Sequence, residues 1–328
     1  MALRKFNKDL AFVKSDWKGN ELNDKGLYTN LHGDHLNSLK EVLQWQTNKS
    51  PLTKLKKNQI SPLKWKRLDN IKDKSANAII PVGHACFIID LNGIRFLIDP
   101  VIATNRFLKR HTKVPFDIPE LNNVDYLLLS HNHRDHIDKE SILQICKYNP
   151  SVIILTGLEI GKVLRKWGIK NEIQEAGWFQ QFKTSNDISI DYLPSQHWSR
   201  RWLTDTNINL WGSFMIKDKR SNKTIFFAGD SGYAPHFAEI GQDYNIDIAM
   251  IGIGAYEPQW FMKYAHTGPK EAIMAFNDLK AKQWIPMHYG TFDLSDEPVF
   301  YPEQVLREQH EKELSNIVWM HIGQRIVL

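Results

Sequence analysis

Leu127-Leu128-Leu129-Ser130-His131-Asn132-His133-Arg134-Asp135-His136 joins an apolar run directly to three histidines and a carboxylate. The leucines read as a buried strand, and the polar cluster sits on its tip. Neutral imidazole and carboxylate are the ligands that zinc and similar transition metals take. One strand end aims all four side chains at one place. A loop this short cannot wrap a single ion with all of them, so the spacing points to a pair of ions sharing the loop. The competing reading is a polar turn with solvated histidines. The chain holds 13 histidines, so clusters do arise at random, but this spacing at the end of an apolar strand should rarely do so.

Three other apolar runs end in the same way. Ile190-Asp191-Tyr192-Leu193-Pro194 leads to Ser195-Gln196-His197, Thr224-Ile225-Phe226-Phe227-Ala228 to Gly229-Asp230-Ser231-Gly232, and Trp284-Ile285-Pro286-Met287 to His288-Tyr289-Gly290. A lone histidine after a strand is usually structural. Together with the first cluster, however, these ends complete a candidate set of seven ligands: His131, His133, Asp135, His136, His197, Asp230 and His288.

Working outward, strands are expected over residues 78–82, 85–90, 94–99, 124–130, 189–193, 211–216, 224–228, 248–253 and 283–287, with a last one at 317–321. Asn92-Gly93 makes a tight hairpin between the second and third. Helices are expected over 35–47, 141–148, 158–167 and 269–279, the last opened by Gly268-Pro269. Strands and helices alternate with several hairpins, which predicts an α/β chain: two mixed β-sheets packed face to face with helices outside. No repeat or Gly/Ser-rich linker appears. The expected organisation is an N-terminal extension, residues 1–75, packed on a single domain, residues 76–328.

The extension is basic. Residues 1–75 carry sixteen Lys and Arg against eight Asp and Glu, the rest twenty-six against twenty-nine, and the net charge is +5. Leu52-Thr53-Lys54-Leu55-Lys56-Lys57 and Leu63-Lys64-Trp65-Lys66-Arg67 mix basic with apolar residues, as a peripheral contact with an anionic membrane would need. A lysine-rich solvated face is the plainer reading. The two cysteines, Cys86 and Cys146, lie in apolar runs and read as buried thiols, so a disulfide framework is excluded. Residues 1–20 hold no uninterrupted apolar core of signal-peptide length, and no stretch approaches a membrane span. A cytoplasmic protein, at most peripheral to a membrane, is expected.

The signature H-x-H-x-D-H with a later His, a later Asp after Gly and a last His resembles the metallo-β-lactamase superfamily. Leu193-Pro194-Ser195-Gln196-His197-Trp198, Phe226 to Tyr233, Ile253-Gly254-Ala255-Tyr256-Glu257-Pro258-Gln259-Trp260-Phe261-Met262 and His288-Tyr289-Gly290-Thr291-Phe292 are similar to one branch of it, the N-acylphosphatidylethanolamine-hydrolysing phospholipase D family. The resemblance covers roughly 79–328, with a fainter echo at Tyr28-Thr29-Asn30. It implies an αββα sandwich and two Zn²⁺ ions, with iron or manganese as alternatives. His131, His133 and His197 would hold the first ion, Asp135, His136 and His288 the second, and Asp230 would bridge them. Asp135, Asp230 and His266 are the implied catalytic residues, and His266, Tyr256 and Trp260 the implied substrate contacts. The family often has Gln where this chain has Ala265. His84 and Asp99 read as supporting residues around the ligands, and Trp198, Trp202, Trp211 and Trp260 as core packing or an acyl groove.

The implied activity is hydrolysis of an N-acylphosphatidylethanolamine-like phospholipid to N-acylethanolamine and phosphatidic acid, by metal hydroxide attacking phosphorus. Nucleic acid is not an expected partner, and a homodimer is a plausible assembly. Two other readings keep the same residues: a hydrolase of the same fold acting on another substrate (nuclease, cyclic phosphodiesterase or sugar lactonase), and a non-enzymatic metal-stabilised binding module.

Overall fold

The computed structural model describes residues 3–103, 108–309 and 315–328, so Met1 and Ala2 of the expected extension lie outside the described residues. In the extension, strands β1 (Leu3–Lys5) and β2 (Asn20–Leu22) pair antiparallel. One main sheet gathers β3 (Ala78–Gly83), β4 (Cys86–Leu91), β5 (Ile94–Ile98), β6 (Tyr126–Leu129), β7 (Ile153–Gly157) and β8 (Ile173–Ala176) in that order. The other gathers β9 (Gln180–Gln181), β10 (Ile188–Leu193), β11 (Ser213–Asp218), β12 (Lys223–Phe227), β13 (Ile248–Gly252) and β14 (Gln283–Met287), again in chain order. The last strand, β15 (Ile326–Val327), returns to pair with β3. Both sheets are mixed. β3, β4 and β5 are antiparallel and β5 to β8 parallel; β9 to β12 are antiparallel and β12 to β14 parallel.

The period-two alternation of strand side chains builds the layers. In β4, Phe87 and Ile89 enter the core shared with Tyr192, Phe214 and Phe226 of the second sheet. Cys86 and Ile88 face the other way, into a separate core with Ile142 and Ile145 of one outer helix and Ile160 and Leu164 of the next. Those helices are α2 (Lys139–Tyr148) and α3 (Ile160–Lys166), which follow α1 (Leu39–Thr47) of the extension. α4 (His236–Asp243) and α6 (Pro269–Leu279) cover the second sheet with Phe237, Ile240, Ala272 and Phe276, and short α5 (Gln259–Met262) lies between them in sequence. α7 (Tyr301–Gln309) comes last. This is the expected αββα sandwich.

Asn92 and Gly93 both take positive φ, 51° and 78°, as a two-residue hairpin of this kind requires. Several expectations need correction. The helix expected from residue 35 begins at Leu39, because Ser38 caps it: the Glu41 N–H donates to Ser38 Oγ and the Ser38 N–H to the Glu41 carboxylate. Its apolar stripe does not face the core either. Leu36, Leu39 and Leu43 are exposed, and Trp45 docks the helix by stacking on Phe261 and donating from Nε1 to Asp296. The strand expected over 211–216 starts at Ser213, since Trp211 turns inward and donates from Nε1 to the Ser195 carbonyl. Residues 317–321 form no strand; Ile317 makes an isolated parallel bridge to Trp284. Among the described residues no helix is long and apolar enough to cross a membrane. The extension contributes Leu10, Leu22, Tyr28 and Leu63 to the central core.

Candidate metal centre

All seven predicted ligands follow strand ends. His131 to His136 leave β6, His197 lies just beyond β10, Asp230 beyond β12 and His288 directly after β14. β5 and β6 are parallel, as are β12 to β14, so their carboxyl ends share one edge of the sandwich. Gly229 makes the approach to Asp230 feasible: its φ is 61°, and a Cβ there would sit 2.7 Å from the Gly212 carbonyl oxygen.

The donors fall into two groups around Asp230. In the first, His133 Nδ1 lies 3.0 Å from His131 Nε2 and 3.1 Å from His197 Nε2. Asp230 Oδ2 lies 3.8 Å from the former and 3.9 Å from the latter. In the second, the same oxygen lies 3.1 Å from both His136 Nε2 and His288 Nε2. Asp135 Oδ2 closes this group at 3.6 Å from His136 Nε2 and 3.5 Å from His288 Nε2. The seven residues predicted from sequence are thus brought together. His131, His133, His197 and Asp230 offer ligand atoms that all lie within 4.8 Å of one another, and so do Asp135, His136 and His288 together with His84.

The residues fit a pair of cations. Buried His136 Nε2 and His288 Nε2 approach carboxylate oxygens, yet neither has a hydrogen-bond partner. Lone pairs converge on the space between them, and a buried set of this kind is costly unless a cation or protons occupy it. Three of the rings are fixed by their other nitrogen. His136 Nδ1 is 2.7 Å from Asp99 Oδ2, His131 Nδ1 is 2.9 Å from Ser130 Oγ, and His197 Nδ1 is 2.8 Å from the Ala265 carbonyl oxygen. Such partners set the tautomer and leave Nε2 free to ligate. Asp99 also accepts from Ser130 N–H at 2.8 Å and Ser130 Oγ at 2.5 Å.

Electrostatics divide the imidazoles. Burial, then the charges of neighbouring histidines, holds His131 and His197 well below the usual range, and burial pushes His133 down to about 4. Burial also opposes a charge on His136 and His288, but Asp230 and Asp135 outweigh it. His136 is held well above the usual value and His288 is raised to about 9. The same contacts overcome burial to keep both carboxyls well below the normal range. Asp135 and Asp230 thus favour positive charge at His136 and His288, as a bound cation would supply it, and metal binding at these rings is in competition with protons.

His266 Nδ1 lies 3.7 Å from Asp230 Oδ2, on the side of the centre where its ring meets those of His197 and His288. Tyr256 is buried against Gly268, and Trp260 lies partly exposed beside Phe261. Trp211 is core, whereas Trp198 packs edge-on against the His133 ring. His84 Nε2 is 3.2 Å from Asp135 Oδ2. Ser130 and the Ala265 carbonyl were not foreseen: a serine beside a ligand is an unremarkable residue, and a main-chain oxygen leaves no sequence signal.

The sandwich and its paired donor groups define a metal-dependent hydrolase of the metallo-β-lactamase fold. Residues 94–289 match the family described as a beta-lactamase superfamily domain, and the chain belongs to that superfamily. Within it, the chain resembles the N-acylphosphatidylethanolamine-hydrolysing branch. It is 32% identical to N-acyl-phosphatidylethanolamine-hydrolyzing phospholipase D 1 of Caenorhabditis elegans, over 69% of this chain and 68% of the relative. It is 35% identical to the mitochondrial N-acyl-phosphatidylethanolamine-hydrolyzing phospholipase D of Saccharomyces cerevisiae, over 69% of this chain but only half, 50%, of that relative's length. Among solved structures, Igni18, a metallo hydrolase from Ignicoccus hospitalis, superposes with a TM-score of 0.60 at 20% identity, over 76% of this chain and 97% of that one.

Proposed function

We propose that this protein is a zinc-dependent phosphodiesterase of phospholipase D type, cleaving N-acylphosphatidylethanolamine-like lipids to N-acylethanolamine and phosphatidic acid. The names of the two relatives support the reaction class. The observation that carries the lipid substrate is the surface around the metal centre. A cavity of about 220 Å³ combines Leu36, Val42, Trp198, Phe261 and Tyr264 with polar His35, Asn37, Arg200 and Thr206, and includes Ala265, whose carbonyl holds His197. The elements forming it carry exposed apolar residues: Leu39 at 83%, Leu43 at 65%, Trp202 at 65% and Leu203 at 93%. Apolar and aromatic residues mixed with Arg200, Lys40 and Lys263 suit a lipid–water interface. In the basic segments part of the charge is already neutralised, since Lys56 is paired with Asp293 and Arg67 with Asp117 and Glu120.

Two divalent ions held by these ligands would activate water and offset phosphoryl charge. The chain's part is positional. With only Asp135 and Asp230 as anions among seven ligands, the loaded site keeps a net positive charge that attracts the phosphodiester. Asp135, its side chain 17% exposed, is the less buried of the two and orients the attacking water by accepting a hydrogen bond from it. The water oxygen joins phosphorus, the bond from phosphorus to the ethanolamine oxygen breaks, and the proton that the water gives up ends on the leaving oxygen. His266, pushed down to about 4 by burial, is neutral at pH 7 and offers a ring N–H to a phosphoryl oxygen. The test is a hydrolysis screen across N-acylphosphatidylethanolamine, RNA, cyclic nucleotides and lactones with metal content measured alongside. Phosphatidic acid and N-acylethanolamine are the expected products; turnover confined to RNA or lactones would overturn the proposal.

A further inference from the structure

We propose that Asn30, in the N-terminal extension, is a positioning residue for the metal ligand His197, so that the extension forms part of the metal centre. The proposal rests on the metal-centre reading and not on the lipid substrate. Asn30 Oδ1 accepts from the His197 backbone N–H at 3.1 Å, and its Nδ2 donates to the His197 carbonyl oxygen at 2.8 Å. A carboxamide has the donor and acceptor of a peptide group, so Asn30 pairs with both main-chain groups of this ligand as a neighbouring strand would. The same Oδ1 also accepts from Trp211 Nε1 at 3.1 Å.

His197 needs this support. β10 ends at Leu193, and Pro194 follows. The preceding Gln196 is bridged to Gly232, but His197 itself lies beyond that bridge. Its ring is fixed at Nδ1 by the Ala265 carbonyl alone. His288, by contrast, leaves β14 directly and donates its backbone N–H to the His84 carbonyl within the domain. Asn30 is held in turn: its own N–H donates to Asp34 Oδ1 at 2.7 Å, the Gln196 side chain donates to the Gly33 carbonyl at 2.9 Å, and the Tyr28 N–H donates to the Asn207 carbonyl. The family match begins at residue 94, so this brace lies outside the matched region.

The experiment titrates metal-free full-length protein with Zn²⁺ against a competing chelator. Wild type, Asn30→Ala, Asn30→Asp and His197→Ala are compared. Asn30→Asp is nearly isosteric and keeps the acceptor, but it sets a carboxylate oxygen against the His197 carbonyl. Asn23→Ala is the control: Asn23 accepts from the backbone N–H groups of Lys25 and Leu27 in the same extension and does not touch the site. His197→Ala identifies the binding step that belongs to the first group. Both Asn30 variants are expected to weaken that step about tenfold or more, in the range for residues that orient a ligand, and to leave the other step and Asn23→Ala unchanged. An unaltered step in folded Asn30→Asp overturns the proposal, as does equal weakening of both steps. Wild type that binds no metal would sink the metal-centre reading itself.

Discussion

Replacing Asp99 by Asn should cost the second metal group most of its affinity while leaving every ligand in place. Asp99 is 1% exposed and only an acceptor, and it takes hydrogen bonds from the His136 ring, the Ser130 N–H and the Ser130 hydroxyl. Asparagine has one acceptor oxygen where aspartate has two. If its NH₂ faces His136 Nδ1, a donor meets a donor; the ring then relaxes by moving its proton to Nε2, the atom that should ligate. If the amide flips, its NH₂ meets the Ser130 N–H instead. Either orientation leaves a buried donor unpaired, a penalty of about 1–3 kcal/mol. Loss of a partner that orients a ligating histidine costs about 10–100-fold in metal affinity, or about 1.4–2.8 kcal/mol at about 1.4 per tenfold. The two figures agree. The effect should be largest at the step assigned to His136 and His288, and smaller at the other, which Asp99 reaches only through Ser130 and His131. Chelator competition on metal-free protein measures both steps. Affinities within twofold of wild type, in a variant that folds, would refute the claim that Asp99 sets the His136 tautomer.

Other outcomes follow from the same geometry. His266→Ala should lower turnover of the phosphodiester about a hundredfold, as for a lost donor to developing charge, with metal content unchanged; kinetics with metal analysis decide this. In metal-free protein, the raised His288 contributes stability that is complete below its unfolded value near 6.5 and is lost as pH rises through about 9. Depressed His133 acts oppositely: its contribution is present above about 6.5 and is lost as pH falls through about 4. Thermal midpoints in chelator should therefore peak near neutral pH and fall on both sides, whereas loaded protein should stay flat on the alkaline side. Leu39→Asp with Leu43→Asp should change stability by no more than about 1 kcal/mol, since both side chains are exposed. It should reduce sedimentation with anionic phospholipid vesicles at least tenfold and spare turnover of a water-soluble phosphodiester. Gly229→Ala should destabilise the fold by about 1–3 kcal/mol, through its positive φ and the clash with the Gly212 carbonyl, as chemical denaturation would show.

The sandwich was legible because its long strands are apolar and end abruptly. Each of β6, β12 and β14 combines a buried run with a ligand type at its carboxyl end, so one pattern reports both fold and site. Polar elements, and strands with no ligand at the tip, gave no such signal. β8 is an edge strand carrying Gln174 and Glu175, and β7, five residues like β12 and β14, ends at Gly157 and leads into α3 rather than to a histidine or aspartate. α1 shows the opposite failure. Its leucines have helical spacing, and spacing alone implies a buried face, yet Trp45 does the docking and the leucines are left to solvent. Periodicity reports that a face is apolar; what covers it depends on the tertiary surroundings.

The supporting residues were harder to read for a related reason. Ligand histidines are recognisable because few other roles place so many of them together. Their partners are chemically ordinary: Ser130 is a serine after a strand, Asn30 an asparagine in a polar extension, and Ala265 acts through its carbonyl. Asp99, next to a proline at the end of β5, left a trace in the sequence, as did His84 and, more faintly, Asn30 in the stretch Tyr28-Thr29-Asn30. Yet Ser130, Asp99 and the Ala265 carbonyl decide which nitrogen of His131, His136 and His197 faces inward, and a ring with the wrong tautomer presents a proton where a cation should bind. The arrangement divides the work: the domain's strands bring seven donors to one edge, and hydrogen bonds from loops and from the N-terminal extension aim them. If that division holds, variants of Ser130, Asn30 and Asp99 will keep the fold and lose metal selectively, whereas variants of the strand cores will lose both together.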